Sequence, residues 1–306
     1  MIKPAVLKRG DTIGIVSPSS FGGEAFIPRA ERGITELRRL GFRVKVGDHA
    51  FNNHGYVSDT AEHRVSDLHA MFADPDIKMM LCTLGGDHAC HLLPLLDWDL
   101  IRANPKIFMG FSDITVLNVA FWAMTGMVTF SGPSLLTDWA EFPEMPAFAR
   151  DSAMRAIAST EPIGDFAASP TWTDEFLDWS TGADLTRPRI QIPANGWRWL
   201  RGGTASGTLI GGCIESLQHL RGTRYWPDLD GAILFLETSD EKPLPKTVDA
   251  LLMDFENMGV FGQIGGIVLA RPYGYDDADR NLLHEIVIER TETFGFSVLA
   301  DVDCGR

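Results

Sequence analysis

The sequence predicts an α/β protein: an N-terminal domain with a mostly parallel sheet and flanking helices, and a smaller C-terminal α/β domain. Three observations lead to this class. Short apolar strands alternate with helical patterns in the first part of the 306 residues, and such alternation implies parallel strands joined by crossover helices. A stretch rich in Trp and Pro interrupts the alternation, which then starts again. We therefore expect domains at 1–136 and 207–306, joined by a linker with substrate-covering loops at 137–206.

The first domain opens with an apolar strand over 12–16 and a helix over 28–40. In that helix Ile34, Leu37 and Leu40 recur at helical spacing, and Gly41 occupies the position of a C-cap glycine. A strand over 42–46 completes the first strand–helix–strand unit. The later elements of this domain are predicted as a helix over 62–72, a strand over 77–83, helical or turn-rich segments over 91–96 and 98–103, a strand over 106–110, a helix over 114–124 and a strand over 127–130.

The stretch 137–206 holds six of the 17 prolines and five of the eight tryptophans. We interpret it as a linker with loops that reach over a site; the alternative is that the tryptophans pack the linker against the core. From the glycine-rich segment 205–212 onward the alternation resumes. The elements predicted there are a strand over 232–237, a helix over 245–258, a strand over 264–270, a helix over 278–290 and a strand over 297–300.

The amino-acid composition narrows the classes of molecule that the protein can be expected to bind. The net charge of −14 argues against nucleic acid or an anionic membrane, because both need cationic patches. The sequence contains no run of 18 apolar residues, so no transmembrane helix is predicted. The N-terminus lacks the apolar core of a signal peptide. The four cysteines form no Cys-x-x-Cys pair, which favours a reduced, cytoplasmic setting.

The sequence predicts neither a bound metal nor a nucleotide cofactor. Cys82, His88, Cys90 and His91 are zinc-ligand types, but their spacing does not match the usual zinc sites. Gly-x-Gly-x-x-Gly and P-loop motifs are absent from the sequence.

Ser112 is the candidate nucleophile. A serine hydroxyl needs a base to take its proton and donors to hold the oxyanion that develops. Ser112 lies between a predicted strand and a helix, where the N–H of Asp113 is free to donate, and Gly86 at the end of the neighbouring strand offers another N–H. The alternative is an ordinary helix N-cap, a position that Ser and Asp favour. Gly-Phe-Ser-Asp is not the Gly-x-Ser-x-Gly elbow of the α/β-hydrolases.

Glu237 is the second candidate. It ends the apolar run Ala-Ile-Leu-Phe-Leu, and functional residues of open α/β sheets gather at the carboxyl ends of strands. A carboxylate at this place is suited to orient a histidine in a triad. The alternative is a solvated strand end beside Asp240 and Glu241.

Several motifs, in order along nearly the whole chain, carry a resemblance to a known family. The segments are 10–20 (Gly-Asp-Thr-Ile-Gly-Ile-Val-Ser-Pro-Ser-Ser), 83–86 (Thr-Leu-Gly-Gly), 104–106 (Asn-Pro-Lys), 110–115 (Gly-Phe-Ser-Asp-Ile-Thr), 125–126 (Thr-Gly), 132–133 (Gly-Pro), 172–179 (Trp-Thr-Asp-Glu-Phe-Leu-Asp-Trp), 211–212 (Gly-Gly), 235–237 (Phe-Leu-Glu) and 299–304 (Leu-Ala-Asp-Val-Asp-Cys). With these segments the chain resembles the LD-carboxypeptidase family of serine peptidases, and within it the microcin C immunity peptidases.

The resemblance implies a Ser-His-Glu triad spread over two domains, without metal or cofactor. Ser112 matches the nucleophile and Glu237 the residue that orients the histidine. The N–H groups of Gly86 and Asp113 match the oxyanion hole. Family members are usually homodimers.

The resemblance also implies a substrate. Relatives of the immunity branch cleave an amide that joins an aminoacyl group to a modified adenylate, and Trp172 and Trp179 are candidates to stack on the base. Relatives elsewhere in the family cut the L,D bond of murein tetrapeptides, which is the alternative substrate. Cys213 stands where the family has an Asn after its Gly-Gly, at a position expected to contact substrate.

The family histidine has no counterpart in this chain. Aligned without gaps, its position is Arg306, and an arginine stays protonated and cannot act as the base. Three explanations compete: a truncated or altered chain of an active enzyme, since family members continue beyond this point; a pseudoenzyme that binds an adenylate without turnover; or a different histidine as base, such as His88 or His219.

Overall fold

The protein is described by a computed structural model that covers residues 1–304, and these form two compact units. The first unit comprises Met1–Phe166 together with Glu175–Arg189. The second comprises Ala167–Asp174 and the chain from Ile190 onward. The stretch 137–206, expected as linker and covering loops, therefore contributes residues to both units. Each unit is described below by itself.

The first unit is built on a four-stranded sheet in the order β2-β1-β3-β4, and every pair of neighbours is parallel. This confirms the predicted mostly parallel sheet. The residues of β1 are all buried, as expected of a central parallel strand covered on both faces, whereas β2 at the edge alternates between exposed and half-buried residues. The strands are β1 (Thr12–Val16), β2 (Arg43–Val46), β3 (Ile77–Cys82) and β4 (Ile107–Met109).

The helices of this unit begin and end at recognisable signals. Pro28 lies in the first turn of the first helix, Thr60 accepts a hydrogen bond from the His63 N–H at the start of the second, and Asp97 caps the third. Gly126 ends the fourth with φ of 74°. The helices are α1 (Ile27–Arg39), α2 (Ala61–Ala73), α3 (Trp98–Ala103), α4 (Thr115–Thr125) and α5 (Ala147–Ile157).

Two local expectations were wrong. The predicted strand over 127–130 is reduced to single bridges, from Met127 to Ile2 and from Phe130 to Met109, because its two ends pair with different partners. The segment 91–96, expected to be helical or turn-rich, consists of the end of a 3-10 turn, Ala89–Leu92, and the turn residues after it. Helix α5 lies in the stretch expected to be linker; Pro146 is its N-cap, so the proline precedes the helix rather than interrupting it.

The second unit contains, within the described residues, a five-stranded sheet in the order β7-β11-β10-β9-β8 and a two-stranded antiparallel pair, β5-β6. Strands β8 to β11 are parallel to their neighbours, while β7 joins the edge antiparallel to β11. The strands are β5 (Thr171–Trp172), β6 (Ile192–Pro193), β7 (Arg198–Arg201), β8 (Leu209–Cys213), β9 (Ile233–Glu237), β10 (Gly266–Ala270) and β11 (Ser297–Val302), and the helices are α6 (Ile214–Leu217), α7 (Pro245–Asn257) and α8 (Asp277–Arg290).

The core of the first unit joins side chains of β1, β3 and β4 to α1 and to the π-helical turn Leu135–Trp139. Trp139 is 1% exposed and belongs to this core, so the packing alternative holds for that tryptophan. No helix among the described residues is long and apolar enough to cross a lipid bilayer.

Candidate active site

Ser112 occupies a strained turn directly after β4. The backbone φ of Ser112 is +60°, and among the described residues only Lys242 and Asp301 share a positive φ without being glycine. Such a conformation costs a non-glycine residue about 1–3 kcal/mol and recurs at functional sites. Ser112 begins a short 3-10 turn, Ser112–Ile114, that leads into α4, and the N-cap positions of these two helices are Phe111 and Ile114. Ser112 is therefore not the N-cap residue that the alternative interpretation expected.

The diglycine after β3 lies against Ser112. A Cβ added to Gly85 would lie 2.8 Å from both the Cβ and the Oγ of Ser112, and a Cβ on Gly86 would lie 2.5 Å from the Oγ of Ser19. Gly86 also has a φ of +144°, a conformation that side chains rarely adopt. Only glycines allow the backbone to approach Ser112, at Gly85, and Ser19, at Gly86, this closely. The structure thus brings the predicted Ser112, Asp113 and Gly86 together at one edge of the sheet.

The carboxylate of Asp113 ties two loops to the turn that carries Ser112. Asp113 is completely buried, and its Oδ2 accepts hydrogen bonds from the Ser19 hydroxyl at 2.5 Å and from the Ala89 N–H at 2.8 Å. The neighbouring Arg64 guanidinium is buried too, and it donates to the carbonyls of Pro18 and His88. Burial lowers the pKa of Arg64, and the charge of Asp113 opposes that shift. The sequence indicates a role for the Asp113 N–H, whereas the role of its side chain depends on contacts that only the structure shows.

Asp113→Asn is expected to reduce the free energy of unfolding by about 1–3 kcal/mol. The amide oxygen can still accept from Ser19 and Ala89, but the charge beside Arg64 is lost and the NH2 group takes the place of the other buried oxygen. Denaturant unfolding measures the loss. The matched control is Asp87→Asn, an exposed aspartate in the loop that follows β3 and leads to Ala89; equal stability of the two variants would contradict the role given to the Asp113 carboxylate.

In the second unit, polar residues occupy the carboxyl ends of four adjacent parallel strands. Cys213 ends β8 directly opposite Glu237, which ends β9, while Arg271 follows β10 and Asp303 follows β11. Glu237 is only 4% exposed, so it is not the solvated strand end of the alternative interpretation. The rule that selected Glu237, a charged residue closing an apolar strand, would also have selected Arg271.

Two thiols, the buried Cys213 and the half-buried Cys304, lie close enough to Glu237 for its charge to act on them. The Cys213 Sγ is 3.4 Å from Glu215 Oε2, to which it donates. Burial raises the pKa of the Cys213 thiol, and the charges of Glu215 and Glu237 raise it further. Burial likewise raises the pKa of the Cys304 thiol, with added contributions from Glu237 and Asp303. Both thiols therefore stay protonated, and neither is a nucleophile in this state.

The two tryptophans expected to stack on a base belong to different units. Trp179 packs in the first unit: the Arg29 guanidinium lies 4.1 Å from the centroid of its ring, and Phe26 and Phe176 lie 5.6 and 5.5 Å away. Trp172 lies in the second unit, where the Arg271 guanidinium is 5.0 Å from its ring centroid. Trp179 thus contacts the core, as the packing alternative expected, and Arg29 lies over its ring.

Buried ion pairs hold the segment around Trp179. Arg29, 3% exposed, pairs with Glu141 at 2.7 Å and with Asp184, and Arg189 pairs with the same Glu141 at 2.8 Å. Burial lowers the pKa of Arg29, while Glu141 opposes that shift. These pairs fix 175–189 within the first unit.

The candidate histidines have different settings. Arg306, expected from the sequence to stand at the position of the family histidine, lies outside the described residues. The ring of His88 is 4.6 Å from Tyr56 and 5.0 Å from His91, centroid to centroid, in the loop that follows Gly86. His219 is exposed in a 3-10 turn of the second unit. No group of three or more His, Cys, Asp or Glu among residues 1–304 is arranged to hold a metal ion.

Comparisons with known proteins cover both units. Models of the LD-carboxypeptidase N-terminal and C-terminal domains match residues 13–132 and 206–306. The putative carboxypeptidase YocD of Bacillus subtilis is 33% identical over 98% of this chain and 90% of its own length. The microcin C7 self-immunity protein MccF of Escherichia coli is 31% identical over 99% of this chain and 88% of its own length. A probable murein peptide carboxypeptidase of B. subtilis is 33% identical over 87% of this chain and 74% of its own length.

Solved structures of MccF and an MccF-like protein are similar to this chain as well. An MccF-like protein from Bacillus anthracis superimposes with a TM-score of 0.90 at 32% identity, over 99% of this chain and 90% of that one. MccF in complex with aspartyl sulfamoyl adenosine superimposes with a TM-score of 0.87 at 30% identity, over the same shares.

Proposed function

The chain belongs to the LD-carboxypeptidase family, and on that basis we propose that it is a serine-type hydrolase of amide bonds. The observation that carries the proposal is the Ser112 turn: a serine with a φ of +60° at the carboxyl end of a buried parallel strand, with the Gly85 backbone packed against its side chain. A strained turn that exposes a serine at this edge is the arrangement other serine hydrolases use. A helix cap would not need it.

The proposed chemistry runs in two steps. The Oγ of Ser112 attacks the carbonyl carbon while a base takes its proton, and the N–H groups of Gly86 and Asp113 donate to the oxyanion. The base then gives the proton to the leaving nitrogen, the C–N bond breaks, and water releases the acyl group from the serine by the reverse of these roles. Glu237 is assigned to orient the base histidine, and neither a metal nor a cofactor has a part.

The proposed substrates are aminoacyl or peptidyl adenylates of the microcin C type, cleaved in self-immunity or detoxification. Support comes from MccF, whose structures hold aspartyl sulfamoyl adenosine and glutamyl sulfamoyl guanosine. Trp172 offers an aromatic ring for the base, and Cys213 lies at the same edge as Glu237. Murein tetrapeptides are the second candidate substrate, favoured by the murein peptide carboxypeptidase among the relatives. A reduced, cytoplasmic setting is proposed from the cysteine pattern, and a homodimer from the family resemblance.

The other candidate function is adenylate binding without turnover, and a specific residue favours it. Arg306 stands at the position of the family histidine, and a guanidinium does not accept the serine proton.

Arg306→His is expected to raise hydrolysis of aspartyl sulfamoyl adenosine by about 10²–10⁴-fold, because it supplies a general base. Chromatography of the released aspartate measures turnover, calorimetry measures binding, and an L,D-linked murein tetrapeptide is offered in parallel. Turnover by the unmodified chain would instead assign another histidine, which His88→Gln and His219→Gln would identify. Binding without turnover in both chains would favour the non-catalytic function. Turnover of the tetrapeptide alone would overturn the adenylate substrate.

A further inference from the structure

The carboxylate of Asp303 joins three segments of the second unit that are distant in sequence. Its Oδ2 accepts the Ser169 N–H at 2.7 Å and the Trp197 indole N–H at 2.8 Å, and its Oδ1 accepts from Arg271 Nη1 at 2.7 Å. The ion pair with Arg271 is almost fully enclosed, with side-chain exposures of 9% for Asp303 and 7% for Arg271. A buried carboxylate with three donors is held in one orientation, and removing it leaves the guanidinium without its counter-charge.

Trp172 depends on these contacts for its position. The strand that carries it, β5, has two residues and, among the described residues, pairs with the two residues of β6; one more bond, from the Ala194 N–H to the Pro170 carbonyl at 3.0 Å, extends this ladder. So short a ladder is weak by itself. Two further contacts, one to the ring and one to its strand, lead to Asp303: the Arg271 guanidinium lies 5.0 Å from the ring centroid, and Ser169, held by its N–H, donates its hydroxyl to the Thr171 carbonyl at 2.6 Å.

Arg271 is not arranged as an anion anchor. Its charge is already paired with Asp303, and its second terminal nitrogen, Nη2, donates to the Asp301 carbonyl at 3.2 Å. A planar guanidinium whose N–H groups already donate to other partners can still present its face to an aromatic ring. The chemistry next to Trp172 therefore suits a flat, uncharged aromatic group rather than a phosphate.

We propose that Asp303 is a positioning residue for the base of a nucleotide ligand, acting through Arg271 and Ser169 on the ring of Trp172. This inference rests on the proposed adenylate-binding function and adds to it the residue that sets the orientation of the stacking ring. In this role Asp303 acts without touching the ligand. We expect its effect to be confined to the base, because only the base is proposed to stack on the ring of Trp172.

The test compares two probes, adenosine monophosphate and ribose 5-phosphate, by calorimetry. Asp303→Asn is expected to weaken binding of adenosine monophosphate about tenfold, within the range of one base–aromatic stack, and to leave ribose 5-phosphate binding unchanged. In a Trp172→Ala background the same substitution is expected to cause no further loss, because the two residues act as one unit. The matched control is Asp230→Asn, an exposed aspartate of the same unit.

An additive loss in the double variant, or equal weakening of both probes, would overturn the proposal. If Asp303→Asn does not fold, Arg271→Lys is the second variant. It keeps the positive charge of the ion pair but removes the planar group over Trp172. It is expected to reproduce the selective loss of adenosine monophosphate binding. Unchanged affinity in Arg271→Lys would equally count against the proposal.

A spectroscopic readout separates this inference from the proposed function. In protein labelled with 5-fluorotryptophan, the ¹⁹F resonance missing from Trp172→Phe is that of Trp172. Asp303→Asn is expected to shift or broaden this resonance, and a resonance that stays in place would refute the positioning role. If it moves while the unmodified chain binds no adenosine monophosphate, the nucleotide function fails and the action of Asp303 on Trp172 still stands.

Discussion

Ser112→Ala is expected to abolish hydrolysis, lowering kcat by at least ~10³-fold in whichever chain turns over, the unmodified one or Arg306→His. Only binding and oxyanion stabilisation remain once the nucleophile is gone. Substrate affinity is expected to change little, since the hydroxyl bonds to the carbonyl carbon only during reaction. The free energy of unfolding is also expected to stay the same. Alanine bears the same positive-φ strain as serine at this position, and its side chain is no larger, so it fits against Gly85.

The measurement is single-turnover hydrolysis of aspartyl sulfamoyl adenosine, with thermal unfolding of each variant recorded beside it. Ser66→Ala, an exposed serine on α2, is the control. Turnover by Ser112→Ala within a few-fold of its parent would show that Ser112 is not the nucleophile, whatever the substrate.

Glu237→Gln is expected to lower kcat by about 10²–10⁴-fold with little change in KM. A carboxylate that orients a histidine selects one tautomer and stabilises the imidazolium, and an amide of the same shape does neither. The substitution keeps the packing of a side chain that is 4% exposed, so the loss comes from charge and hydrogen bonding. A global defect would instead appear as a lower unfolding temperature.

The control for Glu237→Gln is Glu241→Gln, which changes an exposed carboxylate four residues further along the chain. If both variants keep the parent rate, Glu237 has no part in orienting the base. The pH–rate profile gives a second check: loss of the orienting carboxylate is expected to move its acidic limb to lower pH, because the histidine then loses a charge that favours its protonated form.

The elements that local pattern predicted well are the buried strands and the longer helices. Strand β1 matches the predicted 12–16, and helix α1 runs over Ile27–Arg39 where 28–40 was expected. Continuous apolar runs and helical spacing indicate which side chains face a core. These elements can therefore be predicted without knowing which other elements they pack against. Helix α5 was missed because the prolines around it indicated a linker, although Pro146 precedes the helix.

The sequence by itself determined the α/β class, the family, and the placement of Ser112 and Glu237 at the carboxyl ends of strands, because each follows an apolar run that local periodicity identifies. Only the tertiary structure decided what surrounds them. The positive φ of Ser112, the bond from Ser19 to Asp113 across 94 residues and that from Ser169 to Asp303 across 134 depend on partners far apart in the chain. No local pattern encodes such contacts, since hydrogen bonds between distant loops form only after the strands that carry those loops have paired.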